Sequence, residues 1–261
     1  MGEPTGRWFA LKQIGIAAGA IVAYFGVRGL TAGDVATAER NAEALVTVER
    51  SLGVDVELGL QTVFAGSAVL ATLVNWVYIW LHWPVIIGSL WWLLRRSLRD
   101  YLWLRDAMLI SGSIGLVIFA LLPVAPPRLF DATYVDTVTV RSVSYRVLQP
   151  PMFVNLYAAV PSLHFGWNLL VGIVWFARAS NRVGRAIGVL MPLSMGLAVI
   201  ATGNHWVLDV VIGGIVALLG GAVGRHRMRR RMRDQSGVVT PTTTKSPSPD
   251  TRVPLVDEVG T

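Results

Sequence analysis

The 261-residue chain has no cysteine, so it can hold neither a disulfide nor a thiolate site. The same absence removes the usual reading of redox compartment. Lysine is almost missing too: Lys12 and Lys245 are the two in the chain, and all other basic side chains are arginine. Charged residues make up 15%, well below the roughly 25% of an ordinary soluble domain. Hydrophobic residues reach 53% and stand in long blocks, the composition of a polytopic membrane protein. The net charge of +7 is carried by clusters beside those blocks, as in cytoplasmic membrane loops. The lipid bilayer is therefore the expected partner, and nucleic acid is not.

Charge fixes an expected topology. The basic starts and breaks at Arg7/Lys12, Arg95/Arg96/Arg99/Arg105, residues 178–185 and residues 225–233 belong on the cytoplasmic side. The segment 31–61 carries Asp34, Glu39, Glu43, Glu49, Asp55 and Glu57 against Arg40 and Arg50, and belongs outside. Within it Ala42, Leu45, Val48 and Leu52 recur at helical spacing, which predicts an amphipathic helix on the outer surface. One crossing between Gln61 and Arg95 satisfies every constraint and gives six spans with both termini inside. They are predicted at about 8–30, 73–94 (kinked near Pro84, with 62–71 partly embedded), 104–122, 162–176, 187–201 and 206–223. The first is too long for a signal peptide's apolar core and lacks its cleavage pattern, so it reads as a retained span. Residues 1–224 then form an all-α, six-helix membrane catalytic domain. Residues 225–261 form a basic, then Ser/Thr/Pro-rich tail without apolar residues to build a core. The expected location is the cell inner (plasma) membrane, with the active site on the outer face.

This topology brings chemistry to one surface. Pro-Ser-Leu-His, ending at His164, opens one span, and Gly-Asn-His-Trp-Val-Leu-Asp, residues 203–209, follows the return span, so His164 and His205 share a face. Arg128 lies in the outer loop 123–160, and Ser162 heads the fourth span. An arginine can match a phosphate bidentately. Ser162 can act as N-cap, leaving helix-start N–H groups as an anion site. His205 can attack phosphorus, with its second ring nitrogen held by Asp209 at i+4, while His164 moves the proton of the leaving or incoming oxygen. Ionisable groups inside a membrane are costly and point to function. His82, by contrast, sits among Tyr78, Trp80 and Trp83 without a carboxylate and reads as interfacial. The pairs Gly213-Gly214 and Gly220-Gly221 read as close helix packing. Trp76, Trp80, Trp83, Trp91 and Trp92 read as interface residues.

The motifs Ala-Pro-Pro-Arg (125–128), Tyr-Ala-Ala-Val-Pro-Ser-Leu-His-Phe-Gly-Trp (157–167) and residues 203–209 resemble the type 2 phosphatidic acid phosphatase superfamily, whose membrane members are six-helix bundles that need no metal. Within it they are similar to the branch containing inositol phosphorylceramide synthase and its bacterial relatives. The resemblance covers about residues 75–221. It implies His205 as nucleophile, Asp209 as its partner, His164 as general acid/base, and Arg128, Ser162, Asn204 and Gly203 as substrate-binding residues, with no cofactor. Two cations of the lipid phosphatases are missing: Leu121 and Val199 stand in their places, and Arg141 and Arg146 are the candidate replacements. A diester carries one negative charge and a monoester nearly two, so the poorer cation set favours a phospholipid diester whose phospho-headgroup passes to a lipid alcohol acceptor. A lipid phosphate or polyprenyl pyrophosphate phosphatase is the alternative. Readings of other classes are a lipid transporter or scramblase, and a metallohydrolase using His164, His205 and Asp209.

Overall fold

The apolar runs become helices, and the breaks between them carry the caps. The computed structural model describes residues 6–31, 35–141 and 156–237. In chain order these contain α1 (Arg7–Thr31), α2 (Val35–Leu52), α3 (Glu57–Ala65), α4 (Ala68–Trp80), α5 (Trp83–Arg96), α6 (Leu98–Leu121), α7 (Pro127–Phe130), α8 (Thr137–Arg141), α9 (Leu163–Arg178), α10 (Arg182–Ala201) and α11 (Val207–Gly237). There is no strand among the described residues; a lone parallel bridge joins Val124 to Ala158. Asn181 caps α10 by accepting from the Gly184 N–H at 2.8 Å. The tail expected to be disordered lies, from residue 238 on, outside the described residues.

Four helical stretches are long and apolar enough to cross a membrane: Arg7–Gly26, Leu98–Leu121, Arg182–Ala201 and Val207–Arg230. A fifth is added if α3 and α4, bent by 116° at their junction, count as one broken span. Large apolar side chains such as Trp8, Val117, Leu190 and Leu218 face outward on them, so the chain is a membrane protein. One expectation needs correction here. Residues 73–94 are not one kinked helix: α4 stops at Trp80 and α5 starts with Pro84 in its first turn. Proline lacks an N–H and has its φ preset for a helix start, so it begins a new helix here. The last helix runs past the predicted span 206–223, through the basic cluster to Gly237.

α9 is the central element, packed against α6, α10 and α11. Leu170, Val171 and Val174 on α9 meet Leu104 and Ala107 of α6, Met191 of α10 and Ala217 of α11 in the main core. In lipid such contacts stabilise by close packing rather than by expelling water. Gly213 lets the head of α9 touch α11: a Cβ there would lie 2.3 Å from the Ser162 carbonyl oxygen. The Ser162 N–H donates to the Asp209 carbonyl at 3.0 Å, fixing the two helix starts side by side. At the other end of α9, Arg178 pairs with Asp100 of α6.

α2 is amphipathic as expected, but its inward face differs. Ala38, Ala42, Val46 and Glu49 are buried, whereas Val48 and Leu52 are exposed. The helix packs on the Val124–Ala125 and Ala159–Val160 segments around Trp206. Small alanines allow that approach; of the apolar stripe read from the sequence, Ala42 and Leu45 face the contact, and Val48 and Leu52 do not.

Candidate active site

Three chain segments converge at the head of α9. His164 lies in its first turn, His205 in the loop between α10 and α11, and Arg128 in α7. The rings of His164 and His205 face each other with centroids 6.1 Å apart. Their planes are tilted by 55°.

Local structure holds each group. Gly203 has φ +71, and a Cβ there would lie 2.6 Å from the Gln61 amide nitrogen, so the turn delivering His205 requires glycine twice over. The carbonyl of Val199, the residue standing where a cation was expected, accepts from the N–H groups of Asn204 and His205 at 3.2 and 3.1 Å. His205 Nδ1 lies 2.8 Å from the Ala159 carbonyl oxygen and 3.4 Å from Asp209 Oδ2. Both partners accept, so Nδ1 carries the hydrogen and Nε2 keeps its lone pair. The expected Asp209 contact is present, and a backbone carbonyl that no motif revealed reinforces it. Burial pulls the His205 imidazole down to about 4, against the Ala159 hydrogen bond and helped by the nearby Arg128 guanidinium. A neutral imidazole is the form that can attack.

Arg128 is anchored on both sides. Its backbone N–H donates to the Gly203 carbonyl at 3.1 Å, and its Nε donates to Asn204 Oδ1 at 3.0 Å. Asp136 Oδ2 lies 3.5 Å from Nε. Asn204 donates in turn to Thr202 Oγ1 at 2.9 Å. Gly203 and Asn204 thus shape and aim the site. Ser162 occupies the N-cap position of α9 without capping it; its hydroxyl is buried with no hydrogen-bond partner, because the backbone of residue 162 is turned onto α11. Leu121 is exposed at the end of α6, and Val199 is buried in the core beside Met195 and Ala198. Arg146 lies outside the described residues, as does the side chain of Arg141.

His82 is not interfacial. It is 4% exposed, and its ring sits 4.1 Å from that of His164 between centroids, with Trp167 at 5.9 Å beyond it. Tyr78 stacks on His164 at 4.6 Å and 16°. His164 is therefore held between Tyr78 and His82, and Asn168 Nδ2 donates to the His164 carbonyl at 2.8 Å. The break after Trp80 turns His82 inward, which the reading of one continuous span could not show. The available signal was the i, i+3, i+7 spacing of Asn75, Tyr78 and His82 along one helical face. Glu49 and Glu57 were also missed. Both are fully buried, and they accept from the N–H groups of Leu208 and Val207 at 2.7 and 2.8 Å. Asp209 Oδ2 accepts from the Trp206 N–H at 2.9 Å.

Among the described residues no three or more His, Cys, Asp or Glu side chains are grouped to hold a metal ion, so His164, His205 and Asp209 do not form a chelating set. The site offers two imidazoles, a carboxylate and a guanidinium, in a helical membrane protein. These are the parts of a membrane phosphoric-ester enzyme. A family model described as the PAP2 superfamily matches residues 43–223, and the chain belongs to that superfamily. Membership supports phosphatase-type chemistry, the hydrolysis of phosphoric esters, in the broad sense. No curated protein and no solved structure matches the chain.

Proposed function

We propose that the protein is a metal-independent lipid phosphotransferase that moves a phospho-headgroup, phosphoinositol-like, from a membrane phospholipid to an alcohol acceptor. The observation that carries this reading is the paired imidazoles, with the His205 proton committed to Nδ1 and the half-buried Arg128 guanidinium beside them. His205 Nε2 attacks phosphorus in line. The bond from phosphorus to the leaving alkoxide breaks as His164, in its imidazolium form, donates a proton to that oxygen, giving a phosphohistidine that keeps one ester bond, to the headgroup, and a free lipid alcohol. Asp209 and the Ala159 carbonyl stabilise the imidazolium that forms. Arg128 and the uncapped N–H groups at the start of α9 hold the non-bridging oxygens. His164 then takes the proton of the acceptor hydroxyl, whose oxygen attacks phosphorus and returns His205 to its neutral form.

The charge inventory supports a diester over a monoester. Arg128 is shared with Asp136, Leu121 and Val199 bring no cation, and the carboxyls of Asp209, Glu49 and Glu57 lie behind His205. A nearly dianionic phosphate is poorly matched to such a site. The same features support the inositol phosphorylceramide synthase-like branch of the superfamily. We further propose six crossings, with α4 and α5 sharing the second, both termini in the cytoplasm and the site on the outer face of the inner membrane. Residues 1–224 would be the catalytic domain and 225–261 the tail.

The test is mass spectrometry of lipids after incubating purified protein, with chelator, in liposomes containing phosphatidylinositol, phosphatidic acid and a polyprenyl pyrophosphate, with and without a lipid alcohol. Acceptor-dependent loss of headgroup from phosphatidylinositol is expected. Release of inorganic phosphate from the other two lipids instead would make the protein a lipid phosphatase.

A further inference from the structure

The N-terminus of α11, directly behind His205, is already occupied by carboxyl groups. Three successive N–H groups, those of Trp206, Val207 and Leu208, are each taken by a different carboxyl oxygen, from Asp209, Glu57 and Glu49. A helix start leaves four such donors open, and one side-chain cap is the ordinary solution. Here two of the acceptors arrive from outside the helix, Glu49 from α2 and Glu57 from α3, more than 140 residues away in sequence. Both side chains are 0% exposed, and the second oxygen of each is buried without a hydrogen-bond partner, as is Oδ1 of Asp209.

Three buried carboxylates around one helix end would repel strongly, and the helix dipole offsets only part of one charge. Glu49 and Glu57 accept from adjacent N–H groups, those of Leu208 and Val207, so the two carboxyls share one small buried space, and two like charges there are relieved when one carboxyl carries a proton. Among the described residues no basic side chain pairs with either: Arg50 pairs with Asp55 at the surface, and Arg128 with Asn204 and Asp136. The other titratable groups facing the pair are Asp209, Tyr134, whose ring packs on Trp206, and His205 beyond Asp209.

We infer that Glu49 and Glu57 form a proton-sharing acid pair that clamps the start of α11 and so positions Asp209 and His205 for attack. The pair acts on the reaction through the helix end and never touches phosphorus, so both are positioning residues. Burial, with the neighbouring Glu57 and Asp209 charges, pushes the Glu49 carboxyl up to about 8, against the Leu208 hydrogen bond. The clamp therefore holds at neutral pH and loosens as the shared proton leaves in mild alkali. Because its donors are spent on carboxyls, the α11 N-terminus is closed to the substrate phosphate, which is left to Arg128 and α9.

This inference rests on the phosphotransferase reading for its kinetic consequence but not for its chemistry, and the experiment separates the two. Infrared difference spectra of the wild type, Glu49→Gln and Glu57→Gln at pH 7 are expected to show a protonated-carboxyl band in the wild type that both substitutions remove. Turnover in phosphatidylinositol liposomes should fall above about pH 8 in the wild type, and Glu49→Gln should shift that alkaline limb upward. Glu49→Ala, which leaves the Leu208 N–H without an acceptor, should lower kcat at least tenfold with little change in KM, and Glu49→Gln should recover most of that loss. Absence of the infrared band, or an alkaline limb identical in wild type and Glu49→Gln, would overturn the acid pair. If no lipid is turned over, the phosphotransferase reading fails and the infrared band alone decides the pair.

Discussion

His205 shows how much of a proposed catalytic residue a motif conveys. Its spacing from Asp209 was visible in the chain, and the structure places the two groups 3.4 Å apart. The acceptor that fixes the tautomer, the Ala159 carbonyl, has no side-chain signature and could not be read. The cost of burying this ring gives a pH prediction. The imidazole in the folded protein is held down to about 4, below its ordinary 6.5, so the unfolded chain binds the extra proton in between. Its contribution to stability is fully present above pH 6.5 and is lost as pH falls through 4, by an amount on the order of 3 kcal/mol. Thermal unfolding in detergent at pH 7 and at pH 4.5 should show a drop in the wild type that shrinks in His205→Ala. An equal drop in both proteins would contradict the burial argument. Glu49 teaches the complementary lesson: an acidic residue in an acidic segment looks like solvated surface until its helix is docked.

At the scale of elements, helix existence was legible and helix connection was not. The runs that became α1, α6, α10 and α11 carry 18 or more apolar-rich residues and were recognised. The region 62–94 resolves into parts of three helices, broken at Gly66–Ser67, where the Ser67 hydroxyl caps α4, and at Leu81–His82, just ahead of Pro84. The direction of α4 after its start is set by a contact distant in sequence, the reciprocal pair of hydrogen bonds between Asn75 on α4 and Thr137 on α8, at 2.8 and 3.0 Å. The reading of paired glycines as packing sites was right in kind, and Gly213 shows its purpose: it brings the heads of α9 and α11 together and therefore His164 near His205. Gly213→Val should drive a side chain into the Ser162 backbone, cost about 1–3 kcal/mol of stability and lower turnover at least tenfold. Wild-type melting and turnover in this variant would show that the contact does not set the site.

For the whole molecule, composition made the membrane environment plain, and charge asymmetry proposed a topology. The chemistry sits at one end of the bundle, while the Arg178–Asp100 pair and the basic stretch of α11 sit at the other. A site built from α7, α9 and the α10–α11 loop, backed by α2 and α3, draws on most of the chain length, so local sequence could name its motifs but not its supporting shell. The central claim is transfer of a phospho-headgroup through His205. Its most direct test is peptide mass spectrometry of protein mixed with phosphatidylinositol liposomes lacking an acceptor and quenched in alkali, where phosphohistidine survives. The account predicts a phospho-headgroup adduct on the peptide containing His205, absent from His205→Ala, which is also inactive. Turnover by His205→Ala, or an adduct on any other residue, would contradict it.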